Sequence, residues 1–155
     1  MPYGDWKFSA TVYDRRGAYA GECECLSASW TKSVQGEDTL TLESTAALEK
    51  GDRVVWRDWR GTWHENVADE STADRQTGRP VYTTVCRTPL RDLESFHVED
   101  MRPKKKSGKA ALAQLLSGTT WDAGDTVSDT ASTSWYRCSA LEALEDFAEK
   151  WGTEL

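Results

Sequence analysis

Two histidines are the residues best suited to acid–base chemistry in this 155-residue chain, and neither stands in a recognised catalytic pattern. His64 is followed by Glu65, but a zinc-hydrolase helix needs a second histidine four residues after the first, and that position is Ala68. His97 lies in the acidic stretch 94–100, where a carboxylate beside an imidazole could support general-base catalysis. A partly solvated histidine beside acids is far commoner than a catalytic one. We expect no catalytic residue, and a hydrolase using His64 or His97 stays open as an alternative.

The four cysteines do not form a zinc-binding pattern. Cys23 and Cys25 are two residues apart, whereas zinc sites usually combine Cys-x₂₋₄-Cys with a second ligand pair. Cys86 and Cys138 stand apart from them and from each other. No basic start followed by an apolar stretch is visible at the N-terminus, so reduced, buried or idle thiols are the expectation. We therefore expect no metal and no cofactor.

A basic run at Lys104, Lys105 and Lys106 continues into Ser107-Gly108-Lys109 and superficially resembles a phosphate-binding loop. Such a loop needs an earlier glycine at a fixed offset and a Ser or Thr after the lysine, and both are missing. The run is therefore interpreted as a solvated linker. It could still dock on an acidic partner or a neighbouring subunit, which makes the three lysines candidate interface residues.

The eight tryptophans are the more informative feature. Trp56, Trp59 and Trp63 cluster around one predicted hairpin turn, 58–61. Strand alternation places Trp56 on the side of Val54, whereas Trp59 near the turn should be exposed. Exposed tryptophan is favoured at protein interfaces, and aromatic platforms on β folds bind sugars. All three are candidate interface residues, and a β-rich carbohydrate- or cell-wall-binding module is the first alternative function.

Composition and charge exclude several classes of protein. Charged residues make up 29% of the chain, hydrophobic residues 38% and aromatic residues 10%, which is typical of a folded globular protein. The net charge is −7, and the run 102–109 holds five basic residues and no acid, which leaves −12 on the rest. An acidic body repels phosphate backbones, so we expect no specific nucleic-acid binding. No apolar stretch is long enough for a membrane helix.

Up to about residue 90, short strands are the predicted elements that position the candidate tryptophans and His64. Alternating apolar and polar residues, bounded by turn residues, predict five or six strands in an α+β protein whose first part, about 5–90, is a small antiparallel β-barrel or sandwich. Turns are predicted at 14–17, 35–38 and 58–61, and a longer loop at 69–80, centred on 76–78. The predicted strands are 6–13, 19–30, 39–43, 53–56, 62–67 and 81–86.

Two amphipathic helices are predicted after Pro103. Ser107 can cap a helix over about 107–117, and Ser139 with Glu142 forms a capping box for a helix over 139–151 that stops at Gly152. The apolar stripe of the second helix is Leu141, Leu144, Phe147, Ala148 and Trp151. We expect a barrel-like domain over 1–100 and the start of an α/β domain over 104–155, cut from a longer polypeptide.

The order and spacing of several motifs resemble a known family. The most specific is the segment from Leu115 to Gly124, with a leucine pair, Gly118-Thr119 and Trp121. The others are 36–42, 48–54, Trp63-x-Glu65, 82–86, 100–103 and 139–144. Together they resemble the N-terminal region of the tail hub, or tail-associated minor structural protein, of long-tailed phages and prophages, the family also called prophage endopeptidase tail proteins.

This resemblance implies a structural role. In that family a small β-barrel leads into a mixed α/β segment, and three copies form a ring at the tail tip. The resemblance implies a homotrimer that contacts the distal tail protein and the tape-measure protein, made in the bacterial host and located at the virion tail tip. It also implies that any peptidoglycan-cleaving activity lies in further C-terminal domains.

Overall fold

The computed structural model describes residues 7–33, 37–75 and 78–155. Contacts divide the chain into two compact units, Met1–Pro89 and Leu90–Leu155. The sequence-based boundary at 100–104 lies further along the chain than this division. The difference arises because 97–101 forms a strand that pairs with 135–139 inside the second unit. Trp6, the first two residues of the turn 35–38 and the loop centre at 76–77 lie outside the described residues.

The first unit is a seven-stranded antiparallel sheet in the order β2-β1-β5-β6-β7-β4-β3. Its strands in chain order are β1 (Ala10–Tyr13), β2 (Tyr19–Cys23), β3 (Cys25–Lys32), β4 (Asp38–Ser44), β5 (Arg53–Arg57), β6 (Trp63–Asp74) and β7 (Val81–Arg87).

The sheet differs from the sequence-based expectation in two places. The single strand predicted over 19–30 is two strands, β2 and β3, which lie at opposite edges of the sheet and are separated only by Glu24. The loop predicted over 69–80 is shorter, because β6 continues to Asp74 and pairs with β7 along its whole second half. A register shift between Ala68 and Glu70 lets the strand continue through charged residues that alternation alone would place in a loop.

The sheet is strongly curled. Trp30 on the edge strand β3 contacts Trp56 on β5, with ring centroids 5.1 Å apart. Four strand-to-strand steps separate β3 from β5, which would be about 19 Å in a flat sheet. The residues on the concave side are therefore brought together into one core: Ala10, Val12, Leu40, Leu42, Leu48, Val54, Trp56, Ala68 and Cys86. No closed barrel is found among the described strands, so barrel closure stays a prediction.

A polar network crosses this core. Trp56 Nε1 donates to Asn66 Oδ1 at 2.9 Å, and Asn66 Nδ2 donates to Asp38 Oδ1 at 2.9 Å. Trp30 Nε1 donates to the same Asp38 oxygen at 2.7 Å. Asn66 is fully buried, and each of its side-chain heteroatoms has a partner. The network joins β3, β4, β5 and β6, so it stabilises the curl of the sheet as well as the individual strands.

The second unit combines two helices with two small two-stranded sheets, β9–β10 and β8–β11. Its elements are a 3₁₀ helix (Pro89–Ser95, whose first residue lies before the division), β8 (His97–Met101), β9 (Lys106–Ser107), α1 (Gly108–Leu116), β10 (Thr130–Ala131), β11 (Trp135–Ser139) and α2 (Ala140–Trp151).

The helix caps match the sequence-based prediction. Ser107 caps α1 by accepting from Ala110 N, and Ser139 with Glu142 forms the complete capping box of α2. Gly152 ends α2 in the left-handed conformation, with φ of 66°. Leu144, Phe147 and Trp151 are buried, as predicted, in a core that also contains Leu93, Leu115 and Trp135.

In the part of the chain that the structure describes, no helix has both the length and the apolar character needed to span a bilayer.

Candidate interaction surfaces

The turn between β5 and β6 is built around the side chain of Asp58. Its Oδ1 accepts from the backbone amides of Arg60 and Thr62, both at 2.9 Å. Gly61 has φ of 88°, and a Cβ there would lie 2.8 Å from Nη2 of Arg57. Aspartate at the first turn position and glycine at the fourth therefore explain why this segment forms a tight hairpin.

The same aspartate anchors the turn to the core. Asp58 Oδ2 lies 3.1 Å from His64 Nε2, and the His64 ring stacks on Trp56 at 4.5 Å. Burial alone raises the pKa of the Asp58 carboxyl, but His64 and the amides of Thr62 and Arg60 together outweigh it and hold the pKa below its usual value. Asp58 is therefore a carboxylate at neutral pH, and the turn is held in one conformation.

Two tryptophans and two arginines project from this rigid turn, and we call Arg57, Trp59, Arg60 and Trp63 the hairpin surface. Trp59 is 48% exposed and Trp63 is 65% exposed. The guanidinium of Arg60 lies 5.0 Å from the Trp59 ring centroid, and that of Arg57 lies 5.7 Å from the Trp63 ring. Arg57 Nε also donates to Gly61 O at 2.8 Å, which fixes its position. Both cations remain exposed at the protein surface.

Trp56 is not part of this surface. It is 2% exposed and packs against Phe8, Trp30 and His64. The strand alternation that placed Trp56 beside Val54 inside the sheet is confirmed. Its grouping with Trp59 and Trp63 as an interface residue is wrong, because a buried ring offers no area to a partner. Trp56 instead supports the hairpin through its contact with His64.

The lysine run is built into the second unit and is not a linker. Lys105 N donates to Ser132 Oγ at 2.8 Å, and Lys106 pairs with Ala131 in the β9–β10 ladder. Trp151 Nε1 donates to Lys106 O at 3.1 Å. The side chains of Lys104 and Lys105 are exposed, whereas Lys106 Nζ donates to Gln114 Oε1 at 2.8 Å. The backbone is therefore fixed while two ammonium groups remain available to a partner.

The two histidines lie in different units and play different parts. The imidazole of His64 is mostly buried, and Asp58 is its only hydrogen-bond partner among the described residues. His97 is exposed at the start of β8, with Nε2 at 3.2 Å from Glu99 Oε2. Within the described residues no hydroxyl or thiol bonds to either ring, and no group of three or more His, Cys, Asp or Glu side chains could hold a metal ion.

Sequence reasoning missed three exposed apolar side chains: Tyr19, Leu26 and Tyr136. Tyr19 and Leu26 lie on the edge strands β2 and β3. Their exposure could not be predicted from the sequence, because it depends on the division of 19–30 between the two edges of the sheet. Tyr136 lies on β11, with the Arg137 guanidinium 5.2 Å from its ring centroid.

Comparisons with known proteins show what this chain is similar to. Residues 97–155 match the family model described as the prophage endopeptidase tail domain. The chain is also similar to a solved structure, the crystal structure of the tail protein from Neisseria meningitidis MC58, with a TM-score of 0.60 and 12% sequence identity. That similarity covers 93% of this chain and 45% of the other, so the chain spans less than half of the tail protein that it matches. No curated protein matches the chain.

These findings confirm the resemblance to prophage tail proteins that the order of the sequence motifs indicated. At 12% identity the solved structure shows a shared fold alone. The family match lies entirely within the second unit, over residues 97–155.

Proposed function

We propose that this chain is a structural module of a phage or prophage tail hub, and that copies of it assemble as a ring at the end of the tail tube. The observation that carries the proposal is the agreement of two similarities: the family pattern over 97–155 and a tail-protein fold over 93% of the chain. The module would be located at the virion tail tip after synthesis in the host cytoplasm from a prophage gene.

Ring formation requires two different surfaces on each copy, one for each neighbour. The hairpin surface is suited to be one of them, because tryptophan and arginine are enriched at interface hot spots. Its turn is already held by Asp58 and His64, so little conformational freedom is lost on binding. Lys104 and Lys105 are suited to the second contact, since the rest of the chain is acidic.

The proposed assembly is a homotrimer that also contacts the distal tail protein and the tape-measure protein. These partners follow from the family resemblance. The acidic net charge supports the further proposal that nucleic acid is not a specific partner.

We further propose that the first unit closes into a barrel. Two observations support closure: a single residue, Glu24, separates the two edge strands, and Trp30 on one edge reaches Trp56 near the other. In a closed barrel β2 and β3 would act as one bent strand that pairs on both sides. Hydrogen exchange tests this: slow exchange of amides along both β2 and β3 is expected, and rapid exchange along either one contradicts closure.

The ring is tested by measuring the mass of the natural polypeptide in solution, by light scattering after size exclusion. The variant Trp59→Ser with Trp63→Ser should shift the assembly toward monomer. The matched control is Tyr136→Ser, which removes a similarly exposed aromatic side chain that also lies beneath an arginine. Loss of the trimer only in the tryptophan variant supports the proposal, and equal behaviour of the two variants refutes the role of the hairpin surface.

We infer that this part of the protein performs no catalytic step, because neither histidine is joined to a nucleophile within the described residues. The alternative hydrolase is tested by incubating the protein with peptidoglycan. Release of soluble fragments that His64→Gln or His97→Gln abolishes, with the fold intact by circular dichroism, would overturn the inference.

A carbohydrate-binding module is the second candidate, favoured by the two exposed tryptophans on one hairpin. Sugar rings stack on free aromatic faces, and here an arginine lies against a face of each ring. Tryptophan fluorescence separates the two functions: saturable quenching by cell-wall glycan favours the module, and an unchanged spectrum favours assembly.

A further inference from the structure

The two thiols of Cys23 and Cys25 lie unusually close together. Their sulfur atoms are 3.1 Å apart, and the Cys25 thiol donates to the Cys23 sulfur. In a regular strand the rise over two residues is about 6.7 Å, and their side chains leave the same face in parallel. Their Cβ atoms are then too far apart for a disulfide, which needs a Cβ–Cβ distance of about 3.5–4.5 Å. The pair approaches because the strand is interrupted at Glu24, where the chain passes from one edge of the sheet to the other.

The backbone on either side of the pair is fixed. Cys23 pairs with Ala10 on β1, and Cys25 pairs with Ser44 on β4. Glu24 between them is held through its carbonyl, which accepts from Thr45 N at 3.3 Å, and through its carboxylate, which accepts from Thr45 Oγ1 at 3.1 Å. The short distance between the sulfurs is therefore imposed by the fold.

We propose that Cys23 and Cys25 are a redox-active dithiol that a low-molecular-weight disulfide, such as oxidised glutathione, converts to an intrachain disulfide at the junction of β2 and β3. Cys23 thiolate attacks one sulfur of the glutathione disulfide and releases one glutathione thiolate. Cys25 then gives up its proton and attacks the Cys23 sulfur, releasing the second glutathione. Two electrons and two protons leave the cysteine pair, and one glutathione disulfide becomes two glutathione thiols.

The surroundings assign different roles to the two thiols. The hydrogen bond from Cys25 lowers the pKa of Cys23, so Cys23 is the attacking thiolate. The same hydrogen bond, together with burial, raises the pKa of Cys25, which is therefore the resolving thiol. Both side chains are only half-buried, so a small disulfide can reach them.

The other two cysteines provide internal controls. Cys86 is fully buried on β7, and burial raises its pKa to about 12, which makes it unreactive. Cys138 lies in the second unit on β11 and belongs to no thiol pair.

The test is to equilibrate the reduced protein with oxidised glutathione, alkylate the remaining thiols after denaturation, and measure the intact mass. We expect two of the four thiols to escape alkylation, with peptide mapping that places the link between residues 23 and 25. Cys138→Ser should still form this disulfide. Cys25→Ser should instead stop at a mixed disulfide, with glutathione attached to Cys23.

Alkylation of all four thiols in the wild-type protein would overturn the proposal. So would a link between Cys23 and Cys86, because it would show that the Cys23–Cys25 approach does not govern the chemistry. Neither result depends on ring formation, so the thiol proposal and the proposed tail function are tested independently.

Discussion

Replacing Asn66 with alanine should destabilise the first unit by about 3 kcal/mol. The substitution leaves Trp56 Nε1 buried without a partner, which costs about 1–3 kcal/mol, and removes the hydrogen bond from Asn66 to the Asp38 carboxylate, which is worth about 1.5–3 kcal/mol. Asp38 keeps its bond from Trp30, so the two losses do not add fully.

Two further variants separate hydrogen bonding from packing. Asn66→Leu keeps about the same volume but none of the polar contacts, so it should also lose roughly 2 kcal/mol or more. Glu65→Ala, one residue earlier on β6 and facing the other side of the sheet, removes a partly exposed ion pair with Arg53 and should cost at most about 1 kcal/mol.

Urea unfolding followed by circular dichroism gives the free energy of unfolding for each variant. A double variant with Trp30→Phe tests coupling within the network, because the Trp30 and Asn66 side chains both donate to the same oxygen of Asp38. We expect the two substitutions to be coupled by at least about 0.5 kcal/mol. Full additivity, or an Asn66→Leu variant as stable as the wild type, would refute the proposed contribution of the network.

Three other outcomes are expected from the structure. Leu144→Asp should lower the free energy of unfolding by several kcal/mol, because it places a carboxylate in the core of the second unit. An unchanged melting temperature would contradict the buried face assigned to α2. Gly108→Ala should destabilise the second unit, since a Cβ there would lie 2.6 Å from Val127 O, whereas Gly118→Ala, with nothing within 4 Å, is the matched control. Stability should fall as the pH drops below about 4, because Asp58 and Asp69 have lowered pKa values in the fold and take up protons more readily when unfolded. Asp69→Asn should flatten this acid limb of the pH–stability curve, and an identical curve would show that the Arg87–Asp69 pair does not contribute.

The features that depend on neighbouring residues in the chain could be predicted from the sequence. The capping box at Ser139 and Glu142, the stop at Gly152 and the Ser107 cap are hydrogen-bonded patterns within a few residues, so the sequence alone determines them. The turn 14–17 is similar, because the Asp14 carboxylate accepts from the amides of Arg16 and Ala18. The resemblance to the tail-protein family could also be inferred from the sequence, since it rests on the order and spacing of motifs along the chain.

The features that depend on distant partners needed the tertiary structure. Glu24 divides one apparent strand into two because β1 pairs with its first half and β4 with its second, and no local signal records those partners. Strand β6 runs on to Asp74 because β7 supplies its hydrogen bonds. The approach of the Cys23 and Cys25 sulfurs follows from that division, and so does the burial of Trp56 beneath Trp30. The sequence determined which residues could form turns, caps and apolar faces, and long-range pairing decided which surfaces those residues finally share.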